Sequence, residues 1–399
     1  MIARRLRPEE YWWADLNKAV AFESPFEFEK ERDKAVEYNP KEELYGAFPE
    51  EGGPCAASLV MNRKDVRFDG HVLGMAGMGG VATLPAQRRS GAIRACMEVS
   101  LREMRDEGRA LAHLYPFSTA FYRKFGFAAA GQSVRWQIKL QDLRGLPEAG
   151  GRVRQLLPGD DLSPLLEVYD RMYGGVNLSC LRETFDEDLE GDKPLREKRW
   201  VFLWEDEGGR PGAFLAGVRE GDVLSCVTDF ATGGALLFTD TQALMGLLSF
   251  IHTAFIANFK SIRFAVPPHI DLTALLPEVS GMDCKYVLNG MVRAINVETL
   301  LRCCRCMGEG ELTLAVSDPI LPENCGGFRL RFAPGAENRV ERTDAPPDVS
   351  LDVGDLAALL CGARGTESIA LTPDITVHRK VPALGQVFYR KPCHVLDLY

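Results

Sequence analysis

Between Val81 and Arg94 the chain reads Val81-Ala82-Thr83-Leu84-Pro85-Ala86-Gln87-Arg88-Arg89-Ser90-Gly91-Ala92-Ile93-Arg94. A strand-like run enters a loop of basic and small residues, and a helical pattern starts at once. The first N–H groups of a helix have no intrahelical acceptor, and the helix dipole adds partial positive charge there. Such an end binds anions, phosphates above all. Gly91 allows a pyrophosphate close to the backbone, and Arg88 or Arg89 can neutralise it. Judged on residue types alone, an ordinary strand–loop–helix turn with exposed arginines fits equally well.

The elements around this loop follow from turn and cap signals. Helical patterns cover about Glu9–Phe22 and Phe26–Tyr38, and apolar stretches follow at Leu44–Phe48, Ala56–Phe68 and His71–Leu84. The last two suit an antiparallel pair turning at Asp69-Gly70. A helix from about Arg89 to Gly108 follows, then a short strand, Ala110–Leu114. In Pro116–Phe127, Ser118 or Thr119 can cap a short helix that Gly126 ends.

Beyond a Pro- and Gly-rich linker at 141–151, a second block repeats the order. It has a strand at Arg152–Leu157, helices at Asp161–Tyr173 and Leu178–Leu189, and strands at Trp200–Trp204, Ala213–Glu220 and Val223–Ala231. A helix at Thr239–Asn258 follows, so a duplicated fold is expected. Its strand-to-helix junction, 232–240, has no basic loop. A third block, from about Gly290, mixes short strands and helices with a polar loop at Pro334–Asp348.

Composition narrows the function. With a net charge of −9 and no basic block, nothing offers a surface for nucleic acid. No apolar run is long enough to span a bilayer. Pro8, Glu9 and Glu10 stand where a signal peptide needs an apolar stretch, so a cytoplasmic protein is expected. The 11 cysteines then read as free thiols. Cys303-Cys304-Arg305-Cys306 contains C-x-x-C but has no second ligand pair. Its helical spacing from Asn296 argues for packing, so no metal is expected.

Arg88-Arg89-Ser90-Gly91-Ala92-Ile93 resembles the pyrophosphate loop of the GCN5-related N-acetyltransferase (GNAT) superfamily, Arg/Gln-x-x-Gly-x-Gly/Ala, with Ile93 replacing the small residue. Together with Pro116–Phe127 and Met291–Val297, the pattern is similar to the Eis (enhanced intracellular survival) acetyltransferases. That resemblance implies an α+β chain of two tandem GNAT folds and a sterol-carrier-like domain. The blocks are 1–140, with an acetyl-CoA site; 152–289, without a cofactor motif; and 290–399, which brings the chain terminus to the active site.

The resemblance also implies roles. Val81, Ala82 and Thr83 would pair with the pantetheine arm of acetyl-CoA, and Arg88, Arg89, Ser90, Gly91, Ala92, Ile93 and Arg94 would surround the pyrophosphate. Phe117 and Ser118 would sit beside the thiol end. Tyr122 would be the general acid, and the Tyr399 carboxylate the general base. The acceptor would be a small, polyamine- or aminoglycoside-like amine, and an acidic, aromatic pocket from Phe22, Glu23 and Phe26 would suit it. Phe22 reads equally as helix core. The family pattern implies a homo-oligomer, with a hexamer as the form the family tends to take. Two rival readings are an apolar-ligand carrier working through the third block, and an enzyme acting on protein lysines.

Overall fold

A computed structural model describes residues 1–399 apart from 33–38, 186–188, 228–233, 289 and the Glu31 side chain. Contacts divide the chain into two units: Met1–Gly131, Asn289–Lys391 and Tyr399 in one, Gln132–Leu288 and Pro392–Leu398 in the other.

In the first unit, β1 (Ile2–Arg5), β2 (Glu42–Phe48), β3 (Ala57–Phe68), β4 (His71–Thr83), β5 (Leu111–Leu114) and β6 (Ala128–Ala129) alternate with four helices. These are α1 (Tyr11–Ala21), α2 (Phe28–Arg32), α3 (Ala92–Asp106) and α4 (Thr119–Arg123). The expected hairpin forms, with Phe68 paired to His71. Asp69 (φ 50°) and Gly70 (φ 93°) both take positive φ, the twist-matched two-residue turn. α3 buries Ala92, Cys96, Met97, Ser100, Leu101 and Met104, one face of a 3.6-residue period. The helix expected to reach Tyr38 is observed over α2, and 33–38 lie outside the described residues.

The second unit holds β7 (Gln132–Lys139), β8 (Arg152–Gln155), α5 (Ser163–Tyr173), α6 (Lys193–Arg196), β9 (Trp200–Glu205), β10 (Pro211–Glu220), β11 (Val223–Cys226) and β12 (Ala235–Phe238). α7 (Thr241–Phe255), β13 (Ser261–Val266) and β14 (Asp283–Leu288) complete it. The helix expected across Leu178–Leu189 does not form over its described residues. Leu178 has a left-handed φ of 68°. The Asn177 backbone is engaged elsewhere: its N–H donates to Pro392 O at 2.8 Å, and its carbonyl accepts the His394 N–H at 3.0 Å.

Next along the chain come β15 (Met291–Ala294) and α8 (Val297–Cys303), in the first unit. Among the described residues the first sheet runs β1-β2-β3-β4-β5-β15-β6, and the second runs β8-β9-β10-β11-β13-β7-β14, with β12 also on β10. The plans match. Each has one parallel pair, β4–β5 and β11–β13, and each takes its penultimate strand from a distant part of the chain. The chain is therefore a tandem repeat of one α+β fold, with β7 and β15 each filling the sheet of the other repeat.

The remainder of the first unit is a sheet ordered β18-β17-β16-β19-β20. Its strands are β16 (Gly310–Ser317), β17 (Gly326–Phe332), β18 (Arg339–Arg342), β19 (Val349–Asp352) and β20 (Thr376–Val377), with α9 (Val353–Leu360) between β19 and β20 and α10 (Ala383–Val387) after β20. The stretch 334–348, expected as a loop, contributes β18, which pairs with β17. All eight residues of α9 are buried. A side chain at Gly354 would meet the Gly126 carbonyl at 2.6 Å, so only glycine lets α9 pack there. Among the described residues, no helix is long and apolar enough to cross a membrane.

Candidate active site

β4 pairs with β3 as far as Ala57–Thr83, but its parallel partner β5 stops at Met78–Leu114. Gly79–Thr83 therefore extend past the last β5 pair, and their backbone on that side faces no strand among the described residues. The β3–β4 register shifts between Ser58 and Val60, opposite Gly80, whose φ is 55°. This bulge re-aims the end of the strand. A Cβ on Gly80 would come within 3.2 Å of Lys18 Cδ, so α1 crosses β4 tightly here.

At the start of α3, Gly91 caps the helix with φ 87°, and no side chain fills the cap. A Cβ on Gly91 would meet nothing within 4 Å, so the space over the helix end is open. Ser90 Oγ reaches the Ala92 N–H only at 3.4 Å, while donating to Gln87 O at 2.7 Å. Arg88, Arg89 and Ser90 are exposed. Among the described residues the Arg88 and Arg89 guanidiniums have no partner. Arg94 pairs with Glu98 at 3.6 Å and lies over the Phe125 ring at 5.1 Å. Ile93, which departs from the family pattern, packs against the core beneath the first sheet.

Ser118 Oγ accepts the Phe121 N–H at 3.3 Å, as an N-cap of α4. The helix buries Tyr122, which is 2% exposed. Phe117 and Phe121 lie 5.3 and 5.1 Å from its ring. Desolvation raises the Tyr122 phenol well above its ordinary range, and among the described residues nothing bonds its hydroxyl. Phe117 is 71% exposed.

Tyr399 packs over the face of β4 toward which residues 77 and 79 point. A Cβ on Gly77 would meet its ring at 2.9 Å, and one on Gly79 would meet its carboxyl carbon at 2.9 Å and oxygen at 3.0 Å. Two glycines thus make room for Tyr399. Its hydroxyl bonds His113 Nδ1, and Tyr115 stands 5.6 Å from its ring. Sequence reasoning missed His113, although a histidine inside the buried run Leu111–Leu114 was a signal. A Cβ on Gly290 would come within 2.1 Å of His113 Nε2, so a glycine just before β15 is required.

The acceptor-side residues are not gathered in this way. Phe22 is 61% exposed and Glu23 takes a left-handed φ of 55°. Phe26 packs on Phe28 at 6.5 Å, and Phe28 on Trp12 at 5.4 Å. No hydrogen bond, ion pair or ring contact among the described residues ties Phe22, Glu23 or Phe26 to Tyr122 or Tyr399. Solvent competes there with any fixed arrangement.

Residues 4–130 match the model of the acetyltransferase (GNAT) domain, and residues 297–394 match that of the sterol carrier protein domain. An uncharacterized N-acetyltransferase of Streptomyces coelicolor is 26% identical over 398 residues, covering 91% of this chain and 90% of its own. N-acetyltransferase Eis of Mycobacterium tuberculosis is 26% identical over 319 residues, covering 75% of this chain and 73% of its own. Among solved structures, a GCN5-related N-acetyltransferase from Anabaena variabilis superimposes with a TM-score of 0.78 at 19% identity, covering 100% of both chains. Eis1 from Mycobacterium abscessus superimposes with a TM-score of 0.77 at 17% identity, also covering 100% of both chains. With a GNAT acetyltransferase domain at 4–130, a sterol carrier domain at 297–394 and similarity to N-acetyltransferase Eis over three quarters of its length, the chain is an Eis-like N-acetyltransferase.

Proposed function

We propose that the chain transfers acetyl from acetyl-CoA directly to an amine of a small polycation, polyamine- or aminoglycoside-like, at one site per chain. The observation that carries this reading is the Tyr399 carboxyl beside Gly79, on the stretch of β4 that has outrun β5. Val81, Ala82 and Thr83 on that stretch have backbone groups to spare for an amide-bearing arm. Arg88 through Arg94 present an open helix end and two unengaged guanidiniums to a pyrophosphate. Acetyl-CoA supplies the reactive thioester.

Tyr122 donates its proton to the departing sulfur, beside Phe117 and Ser118. Burial keeps this phenol protonated until a thiolate needs the proton. The Tyr399 carboxylate takes the proton from the attacking nitrogen, which becomes acidic as its new bond to carbon forms. His113 orients Tyr399 through the ring hydroxyl. The net charge of −9 favours cationic acceptors.

Release of the CoA thiol, followed with polyamines, aminoglycosides and lysine peptides in parallel, tests the acceptor class. Turnover with polyamines or aminoglycosides but not peptides is expected. Turnover restricted to peptides contradicts the reading.

A further inference from the structure

None of the roles proposed above falls on Cys303-Cys304-Arg305-Cys306. α8 ends at Cys303, and Cys304 is extended (φ −69°, ψ 137°), so the following residues leave the helical ladder. The Cys304 and Cys306 sulfurs then approach to 3.9 Å. They border a cavity of about 560 Å3 whose wall includes Asp69, His71, Phe332 and Asn338. The Asn338 amide donates to Cys304 O at 2.7 Å and Leu301 O at 2.9 Å. It also reaches the two sulfurs, at 3.5 and 3.9 Å.

Charge is buried alongside. Lys391 Nζ meets Asp69 at 2.5 Å, with both side chains no more than 5% exposed. Asp69 also accepts the N–H of Arg305, the residue between the two thiols, at 2.7 Å. The hydrogen bond from Cys304, with help from Lys391 and Asn338, lowers the Cys306 thiol from its ordinary range. Cys304, sharing that bond and fully desolvated, is pushed well up. One sulfur is thus disposed to be a thiolate while its neighbour keeps a proton, the division that stepwise dithiol oxidation uses. Among the described residues no group of three or more His, Cys, Asp or Glu could hold a metal ion.

We propose that Cys304 and Cys306 form a reversible disulfide at this cavity, driven by a hydroperoxide. The Cys306 thiolate attacks the peroxide's terminal oxygen and the O–O bond breaks. Cys306 becomes a sulfenic acid, and the departing alkoxide or hydroxide takes a proton from water. Cys304 sulfur then attacks Cys306 sulfur. The S–O bond breaks, hydroxide leaves with the Cys304 proton as water, and the S–S bond forms. Two thiols lose two electrons and the peroxide gains them. The sulfurs must close by about 1.9 Å to reach bonding distance, which the half-buried, non-helical Cys306 can supply by rotation. A ring closed over one intervening residue restrains the unfolded chain little, which suits a labile bond better than a staple.

Hydrogen peroxide added to the reduced full-length protein tests this. The intact mass should fall by two hydrogens. Trypsin, which cuts after Arg302 and Arg305, should release the peptide starting at Cys303 linked to the one starting at Cys306. Dithiothreitol should separate them. Cys303→Ser should keep the link and Cys306→Ser should lose it, with melting temperature confirming that both are folded. Two results overturn the proposal: Cys306 carried to a sulfinic acid with no link, or a link that disappears in Cys303→Ser.

Discussion

Two helices of this chain follow equivalent strands and begin differently. α3 starts at Gly91, with no capping side chain and open space above it. α7 starts at Asp240, whose carboxylate accepts the Ala243 N–H at 2.9 Å. That carboxylate occupies the position an anion would take and repels one that approaches. Ser, Asp or Asn at a cap stabilises a helix by about 1 kcal/mol, and α3 goes without. On the proposed function one fold appears twice and acts once, because an anion site is a helix end left unfinished.

The sharpest asymmetry between the repeats is Tyr122, which sits in the repeat with the open helix end. Tyr122→Phe should leave acetyl-CoA affinity unchanged and lower turnover by roughly 10²–10⁴-fold. Calorimetry and single-turnover kinetics on the same preparation check both halves of that statement.

The second unit has its own buried titrating group, in the tail Pro392–Leu398. His394 bonds the Tyr173 hydroxyl at 3.1 Å. Burial lowers it to about 4; nearby His269 adds to that and Asp397 opposes it. Its folded pKa lies below the unfolded value of about 6.5. Its contribution is therefore complete above about pH 6.5 and is lost as pH falls toward 4, by roughly 3 kcal/mol. Denaturant melts between pH 7 and 4 should show this loss, and His394→Gln should flatten it.

Gly91→Asp gives the first repeat the chemistry of the second. Acetyl-CoA affinity should drop by roughly 50-fold, about 2.3 kcal/mol. Gly91→Asn, neutral and tolerant of positive φ, should cost less. Equal losses in the two would assign the effect to backbone strain instead of charge. The converse change, Asp240→Ala, should destabilise the protein by about 1 kcal/mol and leave one acetyl-CoA bound per chain by calorimetry.

Local chemistry made much of this legible in the sequence. Asp69-Gly70 specified its turn, Ser118 and Gly126 bounded α4, and Gly91 marked the helix end, because each acts on neighbours within a few residues. The exchange of β7 and β15 was not legible. β15 is a four-residue strand whose partners, Leu111–Leu114 and Ala128–Ala129, lie more than a hundred residues away. Leu178–Leu189 misled because its apolar spacing suits a helix, while Asn177 just before it has its backbone committed to the tail at Pro392–His394 and Leu178 takes a left-handed φ. His113 escaped notice because its meaning depends on Tyr399, at the other end of the sequence. The Phe22, Glu23 and Phe26 group satisfied a chemical pattern without packing that converges on the site.

The proposed general base is the Tyr399 carboxylate beside Gly79. Amidating that carboxyl by semisynthesis removes its charge and keeps nearly all of its volume. Measuring turnover and melting temperature together on the amidated protein is the direct test. An unchanged melting temperature, unchanged acetyl-CoA affinity and turnover reduced by roughly 10²-fold or more are expected. Full turnover in the amidated protein would rule out the Tyr399 carboxylate as the base.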